Sequence, residues 1–247
     1  MKKTEVRHPF KTITSARDLL EIDLPLISDD GKVLFRGQNM DMPLLPRIAR
    51  VAMELRSEDP VKIEKMLFEN FTRLSVPYLQ FPSPRSDWDR LAIARHYGLP
   101  TRLLDWTSNA FVALWFAVSS TPLKSKSSGV LWVLRADAND LKYPGEHETP
   151  FGLERTYIFQ PSHIDKRISA QSGWFSIHKY VEKKNKYVPL EDNRVYSQKL
   201  RRYFIPYENF PTIRDELKRM GLTSFSMYQD LNTLCEFLVE ELQGRNH

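Results

Sequence analysis

The chain has 247 residues, 41% of them hydrophobic and 12% aromatic, which is enough to bury a core. A single cysteine, Cys235, excludes a disulfide framework and a cysteine-rich zinc site, and no apolar run is long enough to cross a bilayer. The net charge of +5 favours a polyanionic partner such as a nucleotide or a nucleic acid. These properties predict a cytoplasmic protein without a membrane partner.

The first eighty residues predict mostly helix, with one strand. Residues 1–11 predict a loose N-terminal arm. Ser15–Ile22 predicts a short helix behind a serine start, and Val33–Arg36 predicts a strand. The prolines and arginines between residues 42 and 50 predict an irregular basic connection. Val61–Tyr78 predicts an amphipathic helix, because its apolar residues recur at helical spacing.

The most informative segment is Leu91–Val118, LAIARHYGLPTRLLDWTSNAFVALWFAV. It predicts a helix that stops at Gly98, a polar turn, and a second helix with the wholly apolar body Ala110–Val118. The polar turn contains Arg102, Asp105, Trp106, Thr107 and Ser108. Asn109 and the two hydroxyl residues before it are good N-cap types. The start of the second helix therefore predicts a site for phosphate.

The second half of the chain predicts strands followed by helices. The predicted strands are Gly129–Leu134, Thr156–Gln160 and Leu200–Pro206. Ala136–Pro150 predicts a long loop of the kind that forms lids. The predicted helices are Thr212–Met220 and Phe225–Leu242. The last helix carries an apolar stripe that includes Cys235, which we expect to be buried against the core. Without a repeat or a second boundary, residues 12–247 predict one domain.

Charged residues at two places predict a ligand site: at the end of the first predicted strand and in the polar turn. Arg36 emerges at a strand end before Gly37 and Gln38, where the backbone can approach a ligand closely. Arg102 and Asp105 lie beside an apolar helix and need partners. The alternatives are that Arg36 forms a surface ion pair and that the other two residues pair with each other or cap backbone groups.

Common catalytic and metal motifs are absent from the sequence. It contains no GxSxG, GxxxxGK[ST], GxGxxG or HExxH pattern, and its six histidines do not pair at helical metal spacing. The sequence therefore predicts no metal centre. His96, on the helix before the polar turn, is the histidine near the expected site, either as a structural residue or as a contact to the ligand.

Three segments together resemble the FRG domain. They are LFRGQ at Leu34–Gln38, HYGLPTRLLDWTSNAFVALWFAV at His96–Val118 and RISAQSGWFSIH at Arg167–His178. Their order matches the family, and the similarity runs from about residue 12 to about residue 240. Membership in this family does not by itself define an activity.

A second resemblance is to ADP-ribosyltransferases of the Arg, Ser, Glu class. That class carries an arginine on an early strand, a Ser/Thr motif leading into an apolar helix, and a glutamate on a late strand. Arg36 is similar to the first element, Trp106–Ser108 to the second, and Gln171 lies where the third falls. The resemblance implies an α+β fold with a split, highly curved pair of mixed sheets flanked by helices.

The resemblance also implies NAD as substrate and assigns roles to residues. The implied catalytic residues are Arg36, Asp105, Ser108 and Gln171. The implied NAD-binding residues are Arg36, Gly37, Gln38, His96, Arg102, Trp106, Thr107 and Asn109. Gln171 can accept a hydrogen bond from the ribose 2′-hydroxyl but supplies no negative charge. Asp105, or alternatively Glu154, would supply that charge.

Three functions stay open at this point. The first is an NAD-dependent ADP-ribosyltransferase that modifies nucleic acid or protein as a toxin or phage-defence effector. The second is a non-catalytic module that binds a nucleotide or nucleic acid. The third is a nuclease or glycosidase that uses Asp105 with Glu154 or His96.

Overall fold

The computed structural model describes residues 12–22, 24, 30–56, 59–79, 86–120, 127–145, 147–162 and 169–244. The predicted arm at residues 1–11 lies outside this range. The strands are β1 (Lys32–Gln38), β2 (Leu103–Thr107), β3 (Gly129–Ala136), β4 (Tyr157–Phe159), β5 (Gly173–Ile177), β6 (Tyr180–Val181), β7 (Lys186–Tyr187) and β8 (Leu200–Ile205). The α-helices are α1 (Arg47–Glu54), α2 (Pro60–Leu74), α3 (Asp87–His96), α4 (Ala110–Val118), α5 (Phe210–Arg219), α6 (Ser224–Tyr228) and α7 (Leu231–Gly244).

Six of the strands form one sheet in the order β4-β5-β2-β1-β3-β8, and β6 pairs with β7 in a separate hairpin. The α+β, single-domain prediction is confirmed, but the prediction of mixed sheets is wrong. The helix α4 carries the chain from β2 across β1 to β3, so β2 and β3 run in the same direction on either side of β1. Every ladder between the described strands of this sheet is antiparallel.

The sheet is nearly divided between β2 and β1. The ladder between these strands contains one pair, Phe35 with Thr107, whereas β1 and β3 pair along seven residues and β2 and β5 along five. We call this junction the seam. It leaves β4-β5-β2 on one side and β1-β3-β8 on the other.

Side chains on both faces of the sheet are buried, as alternation along the strands requires. On one face Phe35 and Val133 pack with α4 and α5. On the other face Leu34, Trp106 and Trp132 form a second cluster. Burial on both faces explains why β3 is apolar along nearly its whole length.

The helix α4 packs directly on the backbone of β1. A Cβ atom placed on Gly37 would lie 1.8 Å from the carbonyl oxygen of Ala113 and 2.7 Å from the amide nitrogen of Ala117. No side chain fits in that gap. Gly37 was expected to let backbone approach a ligand, and the structure shows that it lets a helix approach a strand.

The helix α1 was missed by the sequence analysis, which placed an irregular connection there. Its N-cap is Pro46, so the prolines of this segment precede the helix and do not interrupt it. Ile48, Ala49 and Ala52 are buried on one face. The predicted helix Val61–Tyr78 is present as α2, which begins behind an Asp59 cap and is followed by a short 3₁₀ turn.

The C-terminal helices differ from the prediction in two ways. The expected single helix breaks at Gln229, which is left-handed with φ of 50°. Beyond the break, Phe237 of α7 stacks on Phe225, and Glu241 of α7 forms an ion pair with Lys218 of α5 at 3.0 Å. Its apolar stripe faces outward, with Leu231 77% exposed and Cys235 also exposed, so the prediction that this stripe is buried is wrong. No helix among the described residues has the length and apolar character to span a membrane.

Candidate functional site

A cavity of about 610 Å³ lies at the seam, bounded by β1, β2, α4 and the end of α3. This volume lies in the range of small-molecule sites in proteins. The residues that the sequence singled out and that line the cavity are Arg36, Gly37, Gln38, His96, Asp105, Trp106, Thr107 and Gln171. They come from three separate segments, which the fold brings together.

Arg36 lies across the seam. Its Nη1 donates a hydrogen bond of 2.8 Å to the carbonyl oxygen of Asp105 and lies 3.5 Å from the Oδ2 of the same residue. Continuing the register from the single pair would place Gly37 opposite Asp105, and that pair is not formed. The guanidinium of Arg36 therefore bonds a carbonyl where the ladder stops.

Arg95, in the last turn of α3, is a second cation at the same carboxylate. Its Nη2 lies 2.6 Å from the Oδ2 of Asp105. Burial acts to raise the pKa of Asp105, but the Arg95 and Arg36 guanidiniums outweigh it and hold that pKa below its ordinary value. Asp105 is therefore a carboxylate, and its side chain is still 44% exposed to the cavity.

Arg50, on α1, is the third guanidinium lining the cavity. It makes no hydrogen bond or ion pair within the part of the chain that the structure describes. Burial lowers its pKa, and the neighbouring Arg95 and Arg47 lower it further. The sequence analysis missed Arg50 because it missed α1, and it missed Arg95, which directly precedes the singled-out His96.

The cavity therefore carries an excess of positive charge. Three guanidiniums surround one carboxylate. Burial lowers the pKa of Arg36 to about 10; Asp105 opposes this shift, and Arg95 and Arg50 reinforce it. Even so Arg36 is protonated at neutral pH. The electrostatic character of the site suits an anion.

Thr107 and Gln171 join the seam to the segment before β5. The Thr107 hydroxyl donates to the backbone carbonyl of Gln171 at 2.6 Å and accepts from the Asn109 amide at 3.0 Å. The side-chain Nε2 of Gln171 donates to the carbonyl of Met227 at 3.1 Å. These bonds fix where the Gln171 side chain enters the cavity.

Three predicted site residues do not line the cavity: Arg102, Ser108 and Asn109. Arg102 is buried beneath the other end of β2, where its Nε donates to Glu64 at 2.8 Å. Ser108 is exposed. Asn109 accepts hydrogen bonds from the amides of Phe111 and Val112, so it caps α4 itself and occupies the expected phosphate position.

The segment predicted as a polar turn is the strand β2. Its backbone pairs with β5 along five residues. Leu104 and Trp106, two positions apart, both face the same buried cluster, as the alternation of side chains along a strand requires. The alternation directs Asp105 to the opposite face, where its carboxylate meets Arg95. Glu154, the alternative carboxylate, is exposed and does not line the cavity.

A buried polar chain supports the floor of the cavity. The indole nitrogen of Trp106 donates to the Ser176 hydroxyl at 3.1 Å, and the same hydroxyl lies 3.1 Å from Nε2 of His178. Burial lowers the pKa of His178 to about 3, a hydrogen bond with the Val188 backbone opposes the shift, and nearby Arg36 adds to it. The histidine is therefore neutral. Sequence analysis gave no role to Ser176 or His178.

Part of the remaining wall of the cavity is apolar and aromatic. It is formed by Phe35, Met40, Met42, Phe116 and Tyr228. Tyr228 lies edge-on to Trp115 at 5.8 Å and to Phe116 at 6.5 Å. Such a wall suits a flat ring, while the guanidiniums suit an anion. Across the described residues, no three His, Cys, Asp or Glu side chains are grouped to hold a metal ion.

Comparison with known proteins gives one result. Residues 31–126 match the family model of the FRG domain. This range contains Arg36, Arg50, Arg95, Asp105 and Thr107, while Gln171 and Tyr228 contribute to the cavity from outside it. No curated protein and no solved structure matches the chain. The similarity to the FRG domain is thus found over residues 31–126, and the extension of the domain to residue 247 stays a prediction.

Proposed function

We propose that the cavity binds NAD and that the protein is an ADP-ribosyltransferase acting on nucleic acid or protein, as a toxin or phage-defence effector. The observation that carries the proposal is the meeting of Arg36, Asp105, Thr107 and Gln171 at one cavity. They come from β1, β2 and the segment just before β5, and these three strands are neighbours in the sheet. The resemblance to the transferase class requires this convergence of its three elements.

The cavity offers what each part of NAD needs. The guanidiniums attract the pyrophosphate, and the aromatic wall accepts a base or the nicotinamide ring. In the reaction the bond between C1′ of the ribose and the nicotinamide nitrogen breaks, and nicotinamide leaves with the electron pair. A lone pair of the acceptor forms the new bond to C1′, and the acceptor proton passes to solvent.

Asp105 is the carboxylate that can counter the positive charge developing on the ribose. It is ionised and half-exposed to the cavity. Gln171 lies where the transferase class has glutamate, and it can accept from the 2′-hydroxyl through its side-chain oxygen. Arg36 holds the backbone of Asp105 and so fixes the position of that carboxylate.

The test is nicotinamide release. Purified protein is incubated with NAD and with nucleic acid or protein acceptors, and the products are measured by chromatography and mass analysis. We expect nicotinamide release and a gain of one ADP-ribose on the acceptor. Asp105→Asn should reduce the rate by about 100-fold, as for the loss of one transition-state contact. Arg219→Ala, a change to a surface arginine, is the control.

A second candidate function is nucleotide binding without turnover. It is favoured by the neutral Gln171 and by the two guanidiniums that already compensate Asp105. This candidate predicts saturable NAD binding that weakens with salt, with no nicotinamide released. Absence of both binding and cleavage would rule out both candidates.

A further inference from the structure

We infer that Arg50 and Arg95 form a pyrophosphate-binding subsite on the α1 and α3 side of the cavity. The inference deepens the proposed function, since it names the part of the nucleotide that these two arginines hold. Arg36 is not part of this subsite, because its guanidinium is already bonded to the Asp105 carbonyl. Neither Arg50 nor Arg95 was indicated by the sequence.

The first argument is the supply of hydrogen-bond donors. Arg50 has no hydrogen bond or ion pair among the described residues, although it lines the cavity. Because Arg50 is only partly buried, a ligand in the cavity can reach its guanidinium. Acceptor oxygens of an anion would complete these unused donors.

The second argument is charge. Arg36, Arg50 and Arg95 carry three positive charges against the one negative charge of Asp105, which leaves an excess of two. A pyrophosphate diester carries about two negative charges and therefore matches this excess, whereas a single phosphodiester carries about one. The two guanidinium forks of Arg50 and Arg95 also match two phosphoryl groups in number.

The third argument is the position of Asp105. Its carboxylate lies between Arg36 and Arg95, so a pyrophosphate next to it would be repelled. Among the described residues, Arg50 is the guanidinium of the cluster that binds no carboxylate, whereas Arg95 shares its charge with Asp105. We therefore centre the pyrophosphate on Arg50, with Arg95 contributing through the donors that it does not give to Asp105, and place the ribose that reacts near Arg36 and Asp105. The apolar residues Met40 and Met42 lie in the same cavity wall.

The experiment measures binding by calorimetry with three probes: ADP-ribose, inorganic pyrophosphate and nicotinamide riboside, which has no phosphate. We expect Arg50→Ala to weaken ADP-ribose and pyrophosphate by about 10- to 100-fold and to leave nicotinamide riboside unchanged. Arg50→Lys should recover part of the loss, since it keeps the charge but not the fork. Arg219→Ala is the control for loss of one positive charge.

The outcomes separate this inference from the proposed function. Weakened ADP-ribose binding in Arg50→Ala supports the subsite even where no nicotinamide is released from NAD by the wild type. Unchanged binding of ADP-ribose in Arg50→Ala overturns the subsite even where the wild type cleaves NAD. Equal weakening of all three probes also overturns it, because the effect is then not specific for phosphate. Folding of each variant is checked by circular dichroism.

Discussion

Single residues decide the chemistry of the seam. Asp105 is held by two guanidiniums from different elements, so its charge and its position are both fixed before a ligand arrives. Beneath it the Trp106, Ser176 and His178 chain is fully buried and hydrogen-bonded. The cavity floor is therefore a rigid polar structure, which is the kind of support that positioned side chains need.

His178 makes the stability of the protein depend on pH. Its pKa is about 3 in the folded protein, below the ordinary value of 6.5, so the unfolded chain binds more protons between these values. Stability is therefore complete above pH 6.5 and falls as the pH decreases toward 3. We expect a loss of up to about 1.4 kcal/mol per pH unit from this residue.

Urea unfolding between pH 7 and pH 5 measures this loss. His178→Gln removes the titrating ring and should flatten the dependence, although the variant is less stable at pH 7. A dependence as steep in the variant as in the wild type would show that another group is responsible. His147→Gln, at an exposed histidine on a loop, is the matched control for the substitution itself.

At the scale of elements, the contact between β1 and α4 sets the geometry of the cavity. The helix crosses β1 as it connects β2 to β3, which run in the same direction on either side of β1. It lies so close to the strand that Gly37 has no room for a Cβ atom. The position of Arg36, one residue earlier, depends on this contact.

Gly37→Ala should destabilise the protein by at least about 3 kcal/mol, the upper part of the range for overpacking. The reason is that the added methyl would overlap the Ala113 carbonyl and force β1 away from α4. Thermal unfolding measures the effect. Gly145→Ala is the matched control, since a Cβ there meets nothing within 4 Å. Similar unfolding temperatures for the two variants would contradict the close packing.

At the scale of the whole molecule, one buried ion pair joins elements that are distant in sequence. Glu64 of α2 accepts from the Nε of Arg102 at 2.8 Å and from the Arg102 amide at 2.6 Å. The Tyr187 hydroxyl of the β6–β7 hairpin donates to the same carboxylate at 3.2 Å. Both charged side chains are almost completely buried. The network connects α2, the start of β2 and the hairpin.

Glu64→Ala should cost about 3–5 kcal/mol, because it leaves the Arg102 charge buried without a partner. By comparison Asp215→Ala, which breaks the exposed pair with Arg219, should cost less than about 1 kcal/mol. Guanidinium unfolding of both variants gives the two values. A loss of only 1 kcal/mol for Glu64→Ala would mean that water reaches Arg102.

The sequence predicted the parts of the fold that have local signals. The nearly continuous apolar run of β3 and the capped, apolar α4 were identified because they depend on near neighbours in the chain. The exposure of α7 was not predictable, because the break at Gln229 decides which side faces the core. At the site, Arg36 and Asp105 were found beside recognisable motifs. Arg50 was missed because its role depends on α1 meeting Arg95 and Asp105, which lie 45 and 55 residues further along the chain, and local patterns do not reveal contacts over such separations.

The contacts of Thr107 restrict which residues can replace it. Its backbone pairs with Phe35 and with Gly173, and its hydroxyl bonds both the Gln171 carbonyl and the Asn109 amide. Serine could keep the hydroxyl bonds, whereas valine would break two at once. Because both partners of the hydroxyl are backbone groups, no change of side chain elsewhere replaces it, and fewer substitutions should be tolerated here than at the exposed neighbour Ser108.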